Sequence, residues 1–418
     1  MLPTAANTIR SANGLPGRDY WQNRADYQIR ATLDPAAKTL SGTTTITYTN
    51  NSPDRLDYLW LQLDQNLYRP GSRGALANGR KPEGNTEGMT IEAVELVSSG
   101  KTVAVTPLIS DTRMQVPLAT PLAAHGKLTL RIRYHFVIPG EWGGRMAWGK
   151  SQRGEIYNLA QWYPRMAVYD DIRGWDPLPY LAQEFYLEYG NFDYWVTLPA
   201  NMIVAGSGDL MNLQEVLTAE QRARLARARS SDATVEVISP GEIGTPGSRP
   251  RQDGTLTWHF RMENSRDVAF AASPAFAWDA ARMNLPGGKT GLAMSVYPAE
   301  SQGRDKWGRS TEYLKHAVEE FSRRWYPYPW PNAVNVAGIA TGMEYPGIVF
   351  DGVEDEGKDL FWITAHEIGH SWFPMIVGFD ERRDAWMDEG FNTFIDVYES
   401  DAFNHGEYGP KRDGEYAR

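Results

Sequence analysis

Residues 366–370 read His366-Glu367-Ile368-Gly369-His370. Two imidazoles four positions apart fall on one face of a helix, where both can reach a single ion, and Glu367 can address a water on that ion. Taken alone, the pattern also fits a buried helix with a structural histidine pair. After His370 come eighteen residues and then Glu389, within Trp386-Met387-Asp388-Glu389-Gly390-Phe391. His366, His370 and Glu389 make a His₂Glu set, the three-ligand arrangement of a catalytic zinc that keeps a fourth position for water. Structural zinc has no need of a general base, so the presence of Glu367 favours catalysis. The chain has no cysteine and only seven His. This excludes disulfides, thiolate metal sites and a cysteine nucleophile, and leaves His, Asp and Glu to hold any metal. Ligating imidazoles give their other N–H to a carboxylate. Asp396, seven residues beyond Glu389 on the same helical face, is the candidate; a solvated Asp fits that position equally.

These residues need helices behind them, and the sequence supplies the signals. Leu314, Val318, Phe321 and Trp325 form one apolar stripe at helical spacing, ended by the proline-rich run 326–331. Leu360–Phe373 reads as the next helix, stopped by Pro374, and another begins near Asp384 and runs through Tyr398. The first half reads differently. Leu128, Leu130, Ile132, Tyr134 and Phe136 alternate along one strand face; Ile46 with Tyr48, and Leu256, Trp258, Phe260 and Met262, repeat the pattern. Turn signals such as Asn50-Asn51-Ser52-Pro53 lie between them. One helix, Leu213–Arg229, interrupts this β-structure, with its arginines on a solvated face, and 239–255 reads as a surface loop. The expectation is an α+β multidomain chain: 1–275 a β-rich domain, 276–418 a domain carrying the candidate site.

The His-Glu-x-x-His motif, the 18-residue gap and Glu inside Trp-x-x-Glu-Gly-Phe together resemble the aminopeptidase N family of zinc metallopeptidases, the gluzincin aminopeptidases. A second motif agrees. Gly342-Met343-Glu344-Tyr345-Pro346 lies ahead of the zinc motif, with Glu344 22 residues before His366. It matches the Met-Glu core of the family's Gly-x-Met-Glu-Asn, with Tyr345 in place of Asn. The resemblance implies a saddle-like β-domain followed by a thermolysin-like catalytic domain, with one zinc ion per chain. It also implies peptide substrates with a free N-terminus, whose α-amine Glu344 would bind beside Gly342 and Met343. A carboxylate at the closed end of a cleft pairs with an ammonium and so counts off one residue. The family's second amine anchor is a Gln or Glu from the β-domain. Gln161, in Leu159-Ala160-Gln161-Trp162-Tyr163, is the candidate, and an ordinary strand Gln fits as well. The family places an oxyanion-stabilising tyrosine well downstream of the zinc glutamate, followed by helices. The sequence ends 29 residues after Glu389. It therefore reads as the first part of a longer, C-terminally incomplete protein, whose remainder could be a separate chain. Tyr408 and Tyr416 carry no mark of the tyrosine's role. Family members with this β-domain are often exported, which favours a periplasmic or exported location over a cytoplasmic one.

The charge balance, 42 Lys+Arg against 52 Asp+Glu, argues against a nucleic-acid surface, and no apolar run is long enough to span a bilayer. Fifteen Trp could build a sugar platform, but aromatics on half-buried strands explain them better. The readings left are a zinc aminopeptidase, a zinc endopeptidase on the same scaffold, against which Glu344 speaks, and a non-catalytic scaffold member.

Overall fold

The computed structural model describes residues 7–79, 84–98, 101–140 and 144–409. An eight-stranded sheet dominates the first part. Its centre is Arg24–Asp34, flanked by Thr39–Thr49 antiparallel and Gly190–Pro199 parallel, with Lys127–Val137 and Thr255–Ser265 further out. The alternation read from the sequence is the burial pattern seen here: Leu130, Ile132, Tyr134 and Phe136 face the core, and Lys127, Arg133 and Val137 face solvent. Two four-stranded sheets pack with it, one containing Gly154–Leu159 and Phe270–Ser273, the other Leu56–Gln62 and Arg113–Leu122.

A six-stranded mixed sheet underlies the site. Its order is Val235–Ile238, Phe276–Leu285, Lys289–Pro298, Asn332–Gly338, Ile348–Gly352 and, at the edge, Met343–Tyr345. These later strands carry no polar/apolar alternation; every residue of Asn332–Gly338 and Ile348–Gly352 is buried. Helices Ser310–Arg324 and Gly357–Gly369 pack against the sheet, and strands Gly154–Leu159 and Ile203–Gly206 meet Asn332–Gly338, so no position along it faces water. Val235–Ile238 comes from within the first 275 residues yet extends this sheet by pairing with Phe276–Leu285.

Several expectations are corrected. Leu213–Arg229 is two helices, Leu213–Val216 and Ala219–Ala228, because Thr218 starts a new one with a capping box to Gln221. Leu360–Phe373 ends early: the helix is Gly357–Gly369, and a π-helical turn Ser371–Ile376 follows, with Phe373 in extended conformation. The segment begun near Asp384 is a π-helical turn Trp386–Gly390 feeding a regular helix Phe391–Ala402. Trp325 leaves the buried stripe; it is 41% exposed and packs on Phe394 and Tyr398. Among the described residues no helix is long and apolar enough to cross a membrane.

Candidate metal centre

The helix Gly357–Gly369 is anchored to the sheet by a buried polar knot. Asn335 Nδ2 donates to Asp351 Oδ2 (2.7 Å) and Thr364 Oγ1 (2.8 Å), and the Thr364 hydroxyl donates to the same Asp351 oxygen (2.8 Å). These bonds fix the rotation and height of the helix two residues before His366. Burial pushes the Asp351 carboxyl up to about 7, against the pull of these hydrogen bonds. The second helix approaches through Gly369, where a Cβ would sit 2.3 Å from Asn392 Oδ1. That close approach lets Asn392 Nδ2 donate to the His366 carbonyl at 2.7 Å, which ties helix Phe391–Ala402 to the histidine motif.

The result is convergence. His366 Nε2 and His370 Nε2 lie 3.2 and 3.8 Å from the same Glu389 oxygen, Oε2, and ligand atoms of all three residues fall within 4.8 Å of one another. A zinc tetrahedron with bonds of ~2.0–2.1 Å has edges of about 3.4 Å, so the separations fit a common ion. The far side of each ring is also engaged. Asp396 Oδ2 lies 2.8 Å from His366 Nδ1. His370 Nδ1 is 2.9 Å from the Phe373 carbonyl and 2.8 Å from Asp388 Oδ1. Nδ1 bonding of this kind leaves the Nε2 lone pairs to face an ion. His370 and Asp388 are buried, whereas Glu389 is open to solvent.

Glu367 is buried, and Gly342, at φ +65°, brings its backbone close enough that a Cβ there would lie 3.8 Å from Glu367 Oε1. Burial, and then the Glu344 carboxylate, push Glu367 well above the ordinary carboxylate range, while His366 and His370 pull it down. Glu344 and Met343 sit on the edge strand Met343–Tyr345, where Glu344 pairs in register with Val349. Glu344, His370 and Asp388 bring ligand atoms within 4.8 Å of one another. Burial and Glu184 push Glu344 up, and Arg145 pulls it down.

Gln161 is not a strand residue. It sits in a left-handed turn (φ +53°) between strands Gly154–Leu159 and Arg165–Met166. Its carbonyl accepts from Gln65 Nε2 at 2.9 Å, and among the described residues its own buried Nε2 makes no hydrogen bond within 3.5 Å. Among the described residues, no hydrogen bond or ion pair joins it to Glu344 or the His–Glu set. Tyr408 is engaged elsewhere: its hydroxyl meets that of Tyr313 at 2.6 Å and Arg309 Nη1 at 3.1 Å. Tyr416 lies outside the described residues.

Sequence reasoning missed part of this neighbourhood. Arg145 forms a two-bond pair with Glu184 and stacks over Phe185. Arg266 donates to Glu381 Oε1 (2.8 Å) and to the carbonyls of Leu187, Pro374 and Phe379, which pins the loop between the two metal-site segments to the β-rich part. Glu184, Glu381 and Asp388 lie together behind His370, with carboxylate oxygens within 4.8 Å of one another. These partners are far apart in sequence and carry no local signal, apart from Asp388, which adjoins Glu389.

No family model matches the chain. The M1 zinc metallopeptidase of Deinococcus radiodurans superposes with TM-score 0.55 at 16% identity, covering 93% of this chain and 73% of that one. A variant of that enzyme bound to a Tyr-Ser-Ala substrate gives the same TM-score. The fold is thus that of the M1 zinc metallopeptidases, an α+β multidomain architecture. In sequence, endoplasmic reticulum aminopeptidase 2 of Bos taurus is 28% identical over 126 residues, and leucine aminopeptidase 2 of Aspergillus clavatus is 31% identical over 104. Fold and local sequence likeness together bear out the resemblance to the aminopeptidase N family. The matched segments span 26% and 23% of this chain, and only 13% and 16% of those relatives.

Proposed function

We propose that the protein is a zinc-dependent aminopeptidase that removes N-terminal residues from peptides. The observation that carries this reading is the placement of a buried carboxylate, Glu344, against His370 at the edge of the His366–His370–Glu389 set. When bound there, zinc lowers the pKa of water from 15.7 toward ~7 and polarises the scissile carbonyl. Glu367, buried beside the two imidazoles, would take the proton of the attacking water and hand it to the departing amine nitrogen. Glu344 pairs with the substrate's α-ammonium, and the charge it gains offsets the burial that disfavours its ionised form. The Gln161 side-chain amide is proposed as a further contact for the substrate's N-terminal end. The Tyr-Ser-Ala complex of a neighbouring fold supports peptides as the substrate class. Chelation should abolish hydrolysis of aminoacyl anilides, and added zinc should restore it. Turnover that survives complete removal of metal would contradict the reading.

Two consequences concern the metal. In the metal-free chain burial opposes protonation of both imidazoles, but Asp396 and Glu389 hold His366 up to about 11 and Asp388 holds His370 up to about 9. Both therefore carry a proton at pH 7 that an ion must displace. Zinc affinity should accordingly rise with pH, by up to about 100-fold per unit between pH 7 and 9 while both are protonated. Calorimetry in buffers of different ionisation enthalpy should show nearly two protons released per zinc at pH 7. The second consequence concerns Asp396→Asn, which keeps the shape but removes the charge behind His366. It should weaken zinc binding about 10- to 100-fold, as measured by competition with a chromogenic chelator.

A further inference from the structure

A cavity of about 750 Å³ lies between the β-rich part and the loop joining the two metal-site segments, and its walls include none of the metal-site residues, Glu344 or Gln161. Its volume is that of a small-molecule site. The wall carries five carboxyl groups against four arginines. Arg10 pairs with Asp171, Arg266 with Glu381 behind the wall, and Arg173 and Arg383 share Asp380. Among the described residues Asp170, Glu188 and Asp384, all on the wall, have no ion pair.

Two wall carboxylates, the unpaired Glu188 and the arginine-shared Asp380, are nine-tenths buried and make few or no hydrogen bonds among the described residues. Glu188 is 7% exposed, and among the described residues its one hydrogen bond is from the Tyr169 backbone N–H at 3.2 Å. Asp380 is 6% exposed, and neither oxygen makes a hydrogen bond, although Arg383 Nε lies 3.0 Å away. A buried carboxylate left in this condition costs free energy unless a donor arrives. Burial holds the Glu188 carboxyl up at about 8, a value that an arriving cation would lower.

The rest of the wall is aromatic. Trp21 stacks on Tyr169 at 5.8 Å, Tyr186 bonds Asp170 through its hydroxyl at 3.0 Å, and Tyr189 also lines the cavity. Carboxylates set among aromatic rings are the complement of an organic cation, which gains both a charge-assisted hydrogen bond and attraction to a ring face. The chain displays that recognition at the cavity's own rim. There the Arg10 guanidinium lies 5.1 Å from the Tyr20 ring centroid and makes two bonds to Asp171, at 2.6 and 2.8 Å.

We propose that this cavity is a second binding site, for an organic cation bearing an ammonium or guanidinium group, held by Glu188 and Asp380 against the Trp21–Tyr169 wall. The proposal makes no use of the zinc chemistry, so its failure would leave the aminopeptidase reading untouched. The cation could be a free small molecule or the basic side chain of a peptide. Both sources are tested on the zinc-loaded chain by calorimetry, using agmatine, its neutral analogue butylurea, and an N-acetylated peptide with one arginine beside its citrulline twin.

Agmatine should bind with a Kd below ~1 mM, and butylurea should not. Glu188→Gln should weaken agmatine binding about 10-fold or more, and Trp21→Ala, in the half-exposed wall, should weaken it independently. Glu344→Ala should leave it unchanged, which separates this site from the amine anchor. Agmatine binding without the peptide marks a free cation as the ligand; binding of the arginine peptide but not its twin marks a basic side chain. Failure of both cations to bind, or binding indifferent to Glu188→Gln and Trp21→Ala, would overturn the proposal.

Discussion

Glu367→Gln should leave zinc content near one ion per chain and reduce turnover of an aminoacyl anilide by ~10²–10⁴-fold. The amide keeps the size of the carboxylate and can still hydrogen-bond to water, but it cannot accept a proton. Glu367 is not one of the three converging ligand residues, so metal affinity should stay close to the parent value. Because the side chain is buried, no solvent group stands ready to replace it. Metal analysis and steady-state kinetics on the same preparation separate the two effects. Wild-type turnover in the metal-loaded variant would remove Glu367 from the mechanism. Loss of zinc together with turnover would recast it as a structural residue.

Glu344→Ala should lower kcat/KM for unblocked substrates about 10- to 150-fold, the equivalent of one charge-assisted hydrogen bond of ~1.5–3 kcal/mol. The loss should be selective, because an N-acetylated substrate has no ammonium to lose and its already poor hydrolysis should change little. Glu344 packs among Glu184, Arg145 and Asp388, so truncation could also disturb the fold. Glu344→Gln, which fills the same space without the charge, controls for that. If both variants lose the preference for a free N-terminus while zinc binding survives, the amine anchor stands. If neither does, the exopeptidase reading loses its basis.

The centre of the site was legible because its logic is local. A histidine pair at i and i+4 needs only a helix. Strands such as Lys127–Val137 were legible because one face is wet. Where both faces are covered, as along Phe276–Leu285 and Asn332–Gly338, alternation disappears and the strands left no period to read. Asp388 was missed for a different reason. Adjacent residues on a regular α-helix point about 100° apart, yet the π-helical turn Trp386–Gly390 brings Asp388 and Glu389 to opposite edges of the same imidazole, His370. The break at Thr218 did have a signal, a Thr with Gln three residues later, which the arginine pattern obscured. Arg145 with Glu184 and Arg266 with Glu381 are joined only by the tertiary fold, across 39 and 115 residues.

The central claim is that a metal-bound site counts one residue from a free N-terminus. The direct measurement is mass spectrometry of a defined peptide and its N-acetylated twin, each incubated with the zinc-loaded protein and with the chelated protein. Single residues should leave the free peptide stepwise from its N-terminus, the acetylated twin should remain intact, and chelation should stop the reaction. Cleavage of both peptides at internal bonds would contradict the account and point to an endopeptidase.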